Sequence, residues 1–139
     1  MATTTATITL NSTDIADNAL NISNTATFYT AGTDTGITET TGLARKKTNS
    51  GSNTVLLDSG AGVAADVTAD KSAKVYIKNV NERGDGTKFV TILLTAVEIG
   101  RLYGGDWMFI PWSGGSGKDI EFTASDTTET TLEYVVFYE

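Results

Sequence analysis

Threonine dominates this sequence and limits the folds that the chain can adopt. It accounts for 25 of the 139 residues. Because threonine is β-branched, its side chain is restricted at χ1, which disfavours helices and favours strands. Fourteen glycines accompany it and only one proline, and glycine supplies the tight turns that join short strands. The composition therefore predicts an all-β fold.

Alternation of apolar and polar residues predicts the individual strands. Clear strand patterns occupy 74–79, 89–94, 97–103, 107–111, 120–124 and 132–138. Weaker patterns occupy 5–10, 20–22, 26–30, and a hairpin formed by 42–48 and 53–58. No apolar repeat of 3.6 residues is long enough for a full helix. Nine or ten strands with short turns are typical of an antiparallel β-sandwich or a jelly-roll-like module.

The aromatic residues divide the chain into two parts. Of the twelve, only Phe28 and Tyr29 lie in residues 1–60, and the other ten lie in 74–139. Sixty residues so poor in large apolar side chains bury too little surface to fold alone. We therefore expect Thr/Asn/Ser-rich strands or an arm over 1–60 and a β-sandwich core module over 61–139, within one structural domain overall.

Apolar alternation also predicts which side chains fill the core of that module. The expected core residues are Val75, Ile77, Phe89, Ile92, Leu94, Ile99, Leu102, Trp107, Phe109, Ile120, Phe122, Leu132, Val135 and Phe137.

Cysteine and histidine are both absent, and this limits the chemistry available to the chain. Without them there are no disulfides, no thiolate or imidazole metal ligands and no imidazole base. We expect no catalytic residue, no metal and no cofactor, and hence no enzyme. The enzymatic alternative is a carboxylate hydrolase or lyase, for which Asp106, beside Trp107 and near Trp112, is the best candidate.

Charge and hydropathy restrict the partners. The net charge is −7, with a pI near 4.5, and the sequence shows only one basic run, so we expect no nucleic-acid partner. The longest apolar run, Met108–Trp112, is far shorter than the roughly 18 residues that span a bilayer. The first ten residues lack the basic start and apolar stretch of a signal peptide. We therefore expect a soluble protein, made in a cytoplasm, with no membrane partner.

Short motifs carry little functional information here. Arg83–Asp85 spells an integrin-binding tripeptide within a polar, turn-forming loop. Gly114–Lys118 is similar to part of a phosphate-binding loop, but it precedes a strand pattern and lacks the following Ser or Thr. Pairs of acidic residues suggest calcium but supply too few oxygens and lack the EF-hand spacing; they are Asp14 with Asp17, Asp66 with Asp70, and Glu82 with Asp85.

Two groups of residues are candidates for binding. The basic run is expected to contact an acidic neighbour, including another copy of this acidic chain. Three aromatic residues near a Gly-Gly-Asp turn are candidates for stacking on a glycan. These candidates are Arg45, Lys46 and Lys47, and Tyr103, Trp107 and Trp112.

Residues 98–112, EIGRLYGGDWMFIPW, form the most informative segment. Together with Ile120–Ala124 and Leu132–Phe137, this segment resembles small, threonine-rich, all-β virion structural proteins of tailed phages. The resemblance covers 74–139. It implies a virion component made in the host cytoplasm, namely a capsid decoration (cement) protein that binds the major capsid protein or other virion subunits and forms a homo-oligomer.

Other functions remain open alternatives. Within the same class, a tail, fibre or baseplate subunit would bind a host glycan through its aromatic residues. From a different class, a free carbohydrate-binding module would carry stacking aromatics on one exposed face. Burial of both tryptophans would oppose that module.

Overall fold

The computed structural model describes residues 3–13, 19–48, 51–58, 73–84, 88–114, 117–125 and 129–139. These residues contain no helix and eleven strands: β1 (Thr5–Ser12), β2 (Leu20–Thr27), β3 (Glu39–Thr40), β4 (Ala44–Thr48), β5 (Thr54–Leu57), β6 (Ala73–Asn79), β7 (Phe89–Leu94), β8 (Val97–Tyr103), β9 (Trp107–Trp112), β10 (Ile120–Ala124) and β11 (Thr130–Tyr138). Every strand pairing is antiparallel. The predicted all-β class is confirmed.

The chain forms two compact units, Met1–Thr38 and Glu39–Glu139. In the smaller unit, β1 and β2 pair over their full lengths as a two-stranded ribbon. Beyond the ribbon, the buried residues Phe28 and Ile37 are joined by a backbone hydrogen bond of 3.0 Å. The compositional boundary near residue 60 differs from the boundary between the units, because β3, β4 and β5 belong to the larger one.

Two antiparallel sheets build the larger unit in a sandwich-like arrangement. The four-stranded sheet has the order β5-β10-β7-β8. In the five-stranded sheet, β6 lies between β11 and β9, while β3 and β4 pair with β11 along its other edge. Both sheets contribute to one hydrophobic core: Leu56, Leu57, Ala73, Val75, Ile77, Val90, Ile92, Leu102, Trp112, Ile120, Phe122, Leu132 and Val136.

Half of the predicted core residues are buried. These are Val75, Ile77, Ile92, Leu102, Ile120, Phe122 and Leu132. The prediction is wrong for Trp107, which is 49% exposed on the outer face of β9, and for Ile99, which is 45% exposed. Ile99 is the extra residue of a β-bulge in edge strand β8, where the register to β7 shifts, so its side chain leaves the alternation that the sequence suggests.

The remaining predicted core residues are half-buried. In β11 the core side carries Leu132 and Val136, so Val135 and Phe137 lie on the opposite face of the sheet. The last five strand residues are all apolar, and this hides the phase of the alternation. Phe89, Leu94 and Phe109 are the other half-buried members of the predicted set.

The hairpin predicted over 42–58 is wrong. Its strands exist as β4 and β5, but β4 pairs with β11 and β5 pairs with β10, in different sheets. The chain also changes sheets between β9 and β10, because β9 lies in the five-stranded sheet and β10 in the four-stranded sheet. The connection that does form a hairpin, between β7 and β8, is made by Thr95 and Ala96, both with positive φ.

A hydrogen-bonded lock holds the β8–β9 turn against the loop that follows β6. Buried Asn79 donates from Nδ2 to the Leu102 carbonyl (3.0 Å), and its Oδ1 accepts from the backbone N–H of Asn81 (3.1 Å). Its backbone groups pair with Gly105 N–H and the Asp106 carbonyl. Because a buried amide is stable only when its polar atoms are paired, this lock fixes the turn that connects the two sheets.

Gly104 lies so close to the backbone of the loop after β6 that a larger side chain does not fit. We therefore expect Gly104→Ala to destabilise the protein by about 1–3 kcal/mol. A Cβ there would lie 2.6 Å from the Glu82 carbonyl carbon and 2.8 Å from the Arg83 backbone nitrogen. Gly100→Ala is the matched control, since open space surrounds that position. Urea unfolding measures both variants, and equal stability of the two would contradict the close approach.

Candidate interaction surfaces

One face of the β1–β2 ribbon consists of hydroxyl and amide side chains. The register pairs Thr5 with Thr27, Thr7 with Thr25, Thr9 with Ser23, and Asn11 with Asn21. The Thr7 and Thr25 hydroxyls are 2.8 Å apart, and those of Thr9 and Ser23 are 3.3 Å apart. Cross-strand hydroxyl pairs of this kind stabilise the register of a two-stranded sheet.

The other face of the ribbon, the apolar ribbon face, carries Ile8, Leu10, Leu20 and Ile22 together with Ala6 and Ala26; its polar members are Asn24, opposite Ile8, and Ser12, opposite Leu20. Leu10 lies directly opposite Ile22, and the four large side chains are 38–52% exposed. Since large aliphatic residues that cluster on one exposed face mark interaction sites, this face is the first candidate surface.

The ribbon contains no charged residue in either strand. In the described part of the chain, β1 pairs only with β2, so each strand keeps one edge without a partner strand. Natural proteins protect such edges with charged residues, proline or bulges. The ribbon has none of these in its strands, and no described strand pairs with its outer edges.

The outer face of the five-stranded sheet is the second candidate surface, here called the aromatic–basic face. Its members lie opposite the core side of their strands: Lys74, Tyr76 and Lys78 of β6; Trp107, Phe109 and Pro111 of β9; Glu133, Val135 and Phe137 of β11; and Arg45 and Lys47 of β4. The register places Trp107 beside Lys78, Phe109 beside Tyr76, and Pro111 beside Lys74.

Two of the four cations on this face are engaged in ion pairs. Arg45 donates from Nε and Nη2 to Glu133 Oε2, at 3.0 and 2.9 Å, and Lys47 Nζ lies 2.7 Å from Glu129 Oε1. Neither Lys74 nor Lys78 forms an ion pair with the residues that the structure describes. The two lysines of β6 are therefore the available charges of the aromatic–basic face.

Tyr76 lies between these two lysines and next to the exposed indole. Its ring centroid is 6.2 Å from that of Trp107, with the planes tilted by 33°. Burial, and secondarily the nearby Glu133 carboxylate, raises the pKa of the Tyr76 phenol above its ordinary value. The phenol therefore stays neutral at physiological pH, and the two rings form a continuous uncharged platform.

The predicted binding residues separate in the structure. Arg45, Lys47 and Trp107 come together on the aromatic–basic face. Lys46 points to the core side of β4 and its Nζ donates to the Val55 carbonyl of the opposite sheet, so it joins the two sheets. Its predicted role in contacting a neighbour is corrected to an internal one.

The two other aromatic candidates are placed elsewhere. Trp112 is only 4% exposed and its Nε1 donates to the Lys118 carbonyl at 2.8 Å. Its predicted stacking role is therefore wrong, since the indole is a core residue. Tyr103 ends β8 and packs on Phe89, with ring centroids 5.5 Å apart, in the four-stranded sheet.

Sequence reasoning placed Lys74, Tyr76 and Lys78 on one face of a strand but did not identify them as part of a site. The alternation KVYIK supplies this face. Its neighbours, however, come from β9 and β11, and only the register between these distant strands brings them beside it.

The carboxylate that the enzymatic alternative singled out is held in structural contacts. Asp106 accepts from Arg83 Nη2 at 2.6 Å and from the Tyr103 backbone N–H at 3.0 Å. A small cleft of about 200 Å³ lies nearby, lined by Asn79, Asn81, Glu82, Lys88, Phe89, Gly104, Ser125, Glu129 and Thr130.

Within the described ranges, no three acidic side chains come together as a metal site, and no helix is long and apolar enough to cross a membrane. Several sequence motifs fall outside these ranges: Asp14, Asp17, Asp66, Asp70 and Asp85, and the central part of the glycine-rich segment at 115–116. No protein-family model matches the chain, and no curated protein is significantly similar to it.

Proposed function

We propose that this protein is a structural subunit that associates with neighbouring protein subunits through its β1–β2 ribbon. The assembly proposed is the virion of a tailed phage, with the protein as a capsid decoration component, as the sequence resemblance implies. One observation carries the proposal: four large aliphatic side chains share an exposed face on a ribbon that has no charged residue.

Stability supports this interpretation. A two-stranded sheet is marginally stable by itself in water. The apolar ribbon face becomes stabilising when a second surface covers it, because burying a Leu or Ile side chain contributes about 1.5–3 kcal/mol. The ribbon therefore gains most of its possible stabilisation from a contact that lies outside its own two strands.

Charge supports a second copy of the chain as the first partner. Two molecules with a net charge of −7 repel each other, and they approach most easily where their surfaces carry no charge. The ribbon is such a surface. Identical ribbons that pack face to face form a closed, two-fold symmetric contact, the commonest type in homo-oligomers.

Substitution of Leu10 tests this contact. We expect Leu10→Asp to weaken self-association by at least about tenfold, because it removes a buried leucine and introduces a charge that repels its symmetry mate. Light scattering coupled to size exclusion, over a range of concentrations, measures the molar mass. Thr9→Asp adds the same charge on the opposite face of β1 and is expected to have a smaller effect. A chain that is monomeric at every concentration would contradict the proposal, as would equal weakening by both variants.

Copy number tests the place in the virion. Mass spectrometry of purified particles that contain this chain is expected to give hundreds of copies for a shell component. A few to some tens of copies would contradict decoration of the capsid and indicate the tail, fibre or baseplate instead.

A further inference from the structure

We propose that the aromatic–basic face binds an anionic polysaccharide. In this proposal its sugar rings stack on the indole of Trp107 and the ring of Tyr76, and its carboxylate or sulfate groups pair with Lys74 and Lys78. This inference does not rest on the proposed assembly, because all its residues lie in the five-stranded sheet and none lies in the ribbon.

The exposed ring surface is the first argument. Trp107 leaves half of its surface in water on the outer face of edge strand β9, and an exposed indole favours an apolar partner. The C–H faces of sugar rings are flat and apolar, and their hydroxyl edges remain hydrated. With Tyr76 at 6.2 Å, the platform accommodates adjoining rings of one polymer.

The position of the lysines is the second argument. Lys74, Tyr76 and Lys78 occupy alternate positions of β6, so cation, ring and cation follow each other at steps of about 6.5–7 Å. Lys78 also lies directly opposite Trp107. A stacked sugar therefore has a cation within reach of its anionic substituent, and a longer polymer meets a second cation along the strand.

The charge distribution is the third argument. The aromatic–basic face and its ion-pair partner Glu129 together hold four cations and two carboxylates, whereas the rest of the chain holds six cations and fifteen carboxylates. An anionic polymer is repelled by most of this protein and attracted to this face. On this face, however, only Lys74 and Lys78 are without an ion pair to the described residues, too few for the series of phosphate contacts on which nucleic-acid binding depends. Stacking of sugar rings on the two aromatic side chains, with only two charge contacts, favours a polysaccharide over a nucleic acid as the ligand.

Calorimetric titration of the full-length protein with polygalacturonate tests the proposal, with neutral dextran and an oligothymidylate as comparison ligands. We expect binding to polygalacturonate that weakens as salt is added. Trp107→Leu and the pair Lys74→Gln with Lys78→Gln are each expected to weaken it at least tenfold. Lys118→Gln removes a positive charge outside this face, since Lys118 is exposed and precedes β10 of the four-stranded sheet; it is the control for charge loss elsewhere and is expected to bind like the unmodified protein. Thermal unfolding confirms that each variant is folded.

Four results would overturn the inference. They are no binding to polygalacturonate, equal binding to dextran, tighter binding to the oligothymidylate, and a loss for Lys118→Gln as large as that for the β6 lysines. Tighter binding to the oligothymidylate would indicate a nucleic-acid surface. An equal loss for Lys118→Gln would indicate general electrostatic attraction of the polymer to the protein, without a defined site. Leu10→Asp is expected to bind polygalacturonate normally, so failure of the proposed assembly and failure of this inference are distinguishable.

Discussion

Phe122→Ala is expected to lower the free energy of unfolding by about 3–5 kcal/mol. Among the residues that the structure describes, Phe122 has the largest side chain that is completely buried. It lies on β10, between Ile92 of β7 and Thr54 of β5, so its ring packs where both sheets contribute to the core. Truncation removes the buried ring and leaves a cavity that surrounding strands cannot close. Since domains are stable by only about 5–15 kcal/mol, this loss is a large part of the total.

Phe137→Ala is the control for this prediction. It removes the same atoms from a half-buried side chain on the aromatic–basic face. We expect Phe137→Ala to lower the free energy of unfolding by less than half as much as Phe122→Ala does. Urea unfolding measures both variants, and the dependence of the free energy on urea concentration should be unchanged. Equal losses at the two positions would show that the core side of the sandwich is assigned incorrectly.

Asn79→Ala is expected to cost about 2–4 kcal/mol, because it leaves buried backbone groups unpaired. The Leu102 carbonyl loses its side-chain donor, and Asn81 loses the acceptor that its backbone N–H and its own amide share. Each unsatisfied buried group carries a desolvation penalty, and the turn between β8 and β9 loses its anchor.

Asn53→Ala is the matched variant for Asn79. Asn53 Oδ1 also accepts a side-chain hydrogen bond, from Thr123 Oγ1 at 2.6 Å, but this contact is exposed. Water replaces the partner there, so we expect a change of less than about 0.5 kcal/mol. Thermal unfolding of both variants measures the difference, and a similar small effect for Asn79→Ala would mean that water enters the lock.

The strands of the larger unit were predictable because their patterns are strong and local. The segment 73–79 alternates without a break, and both β7 and β10 are apolar at every position that the core requires. In 73–79 and β10 this alternation depends only on the two-residue period of a strand, whereas β7 was recognisable as a nearly continuous apolar run whose buried side the sequence did not determine. The sequence also predicted the Gly-Gly-Asp turn, since these residues favour turns for local reasons.

Partner choice between strands was not predictable in the same way. β4 and β5 are close in sequence, which favoured a hairpin, yet each pairs with a strand from the far end of the chain. The turn at Thr95 and Ala96 gives no compositional signal, because neither residue favours positive φ. There the Thr95 hydroxyl donates to the Gly117 carbonyl, and Ala96 N–H donates to Glu121 Oε2, so tertiary contacts hold the conformation.

The two candidate surfaces also differ in how far the sequence predicts them. Alternation alone separates the hydroxyl face of β1 from its apolar face, and the sequence therefore already contained the ribbon's pattern. The aromatic–basic face arises only when Lys78 meets Trp107 and Glu133 across three strands. A scan for basic runs found Arg45–Lys47 and missed the cations that the sheet assembles from separate segments.

Hydrogen exchange along the ribbon tests the central claim most directly, because it reports whether β1 and β2 become part of a protein–protein contact. The full-length protein is compared at low and high concentration. We predict that amides in 5–12 and 20–27 exchange more slowly at high concentration, while those of β6 and β10 are unchanged. Leu10→Asp is expected to remove this difference. Identical exchange of the ribbon at both concentrations, in a sample whose mass shows association, would contradict the account, since the contact would then lie elsewhere on the molecule.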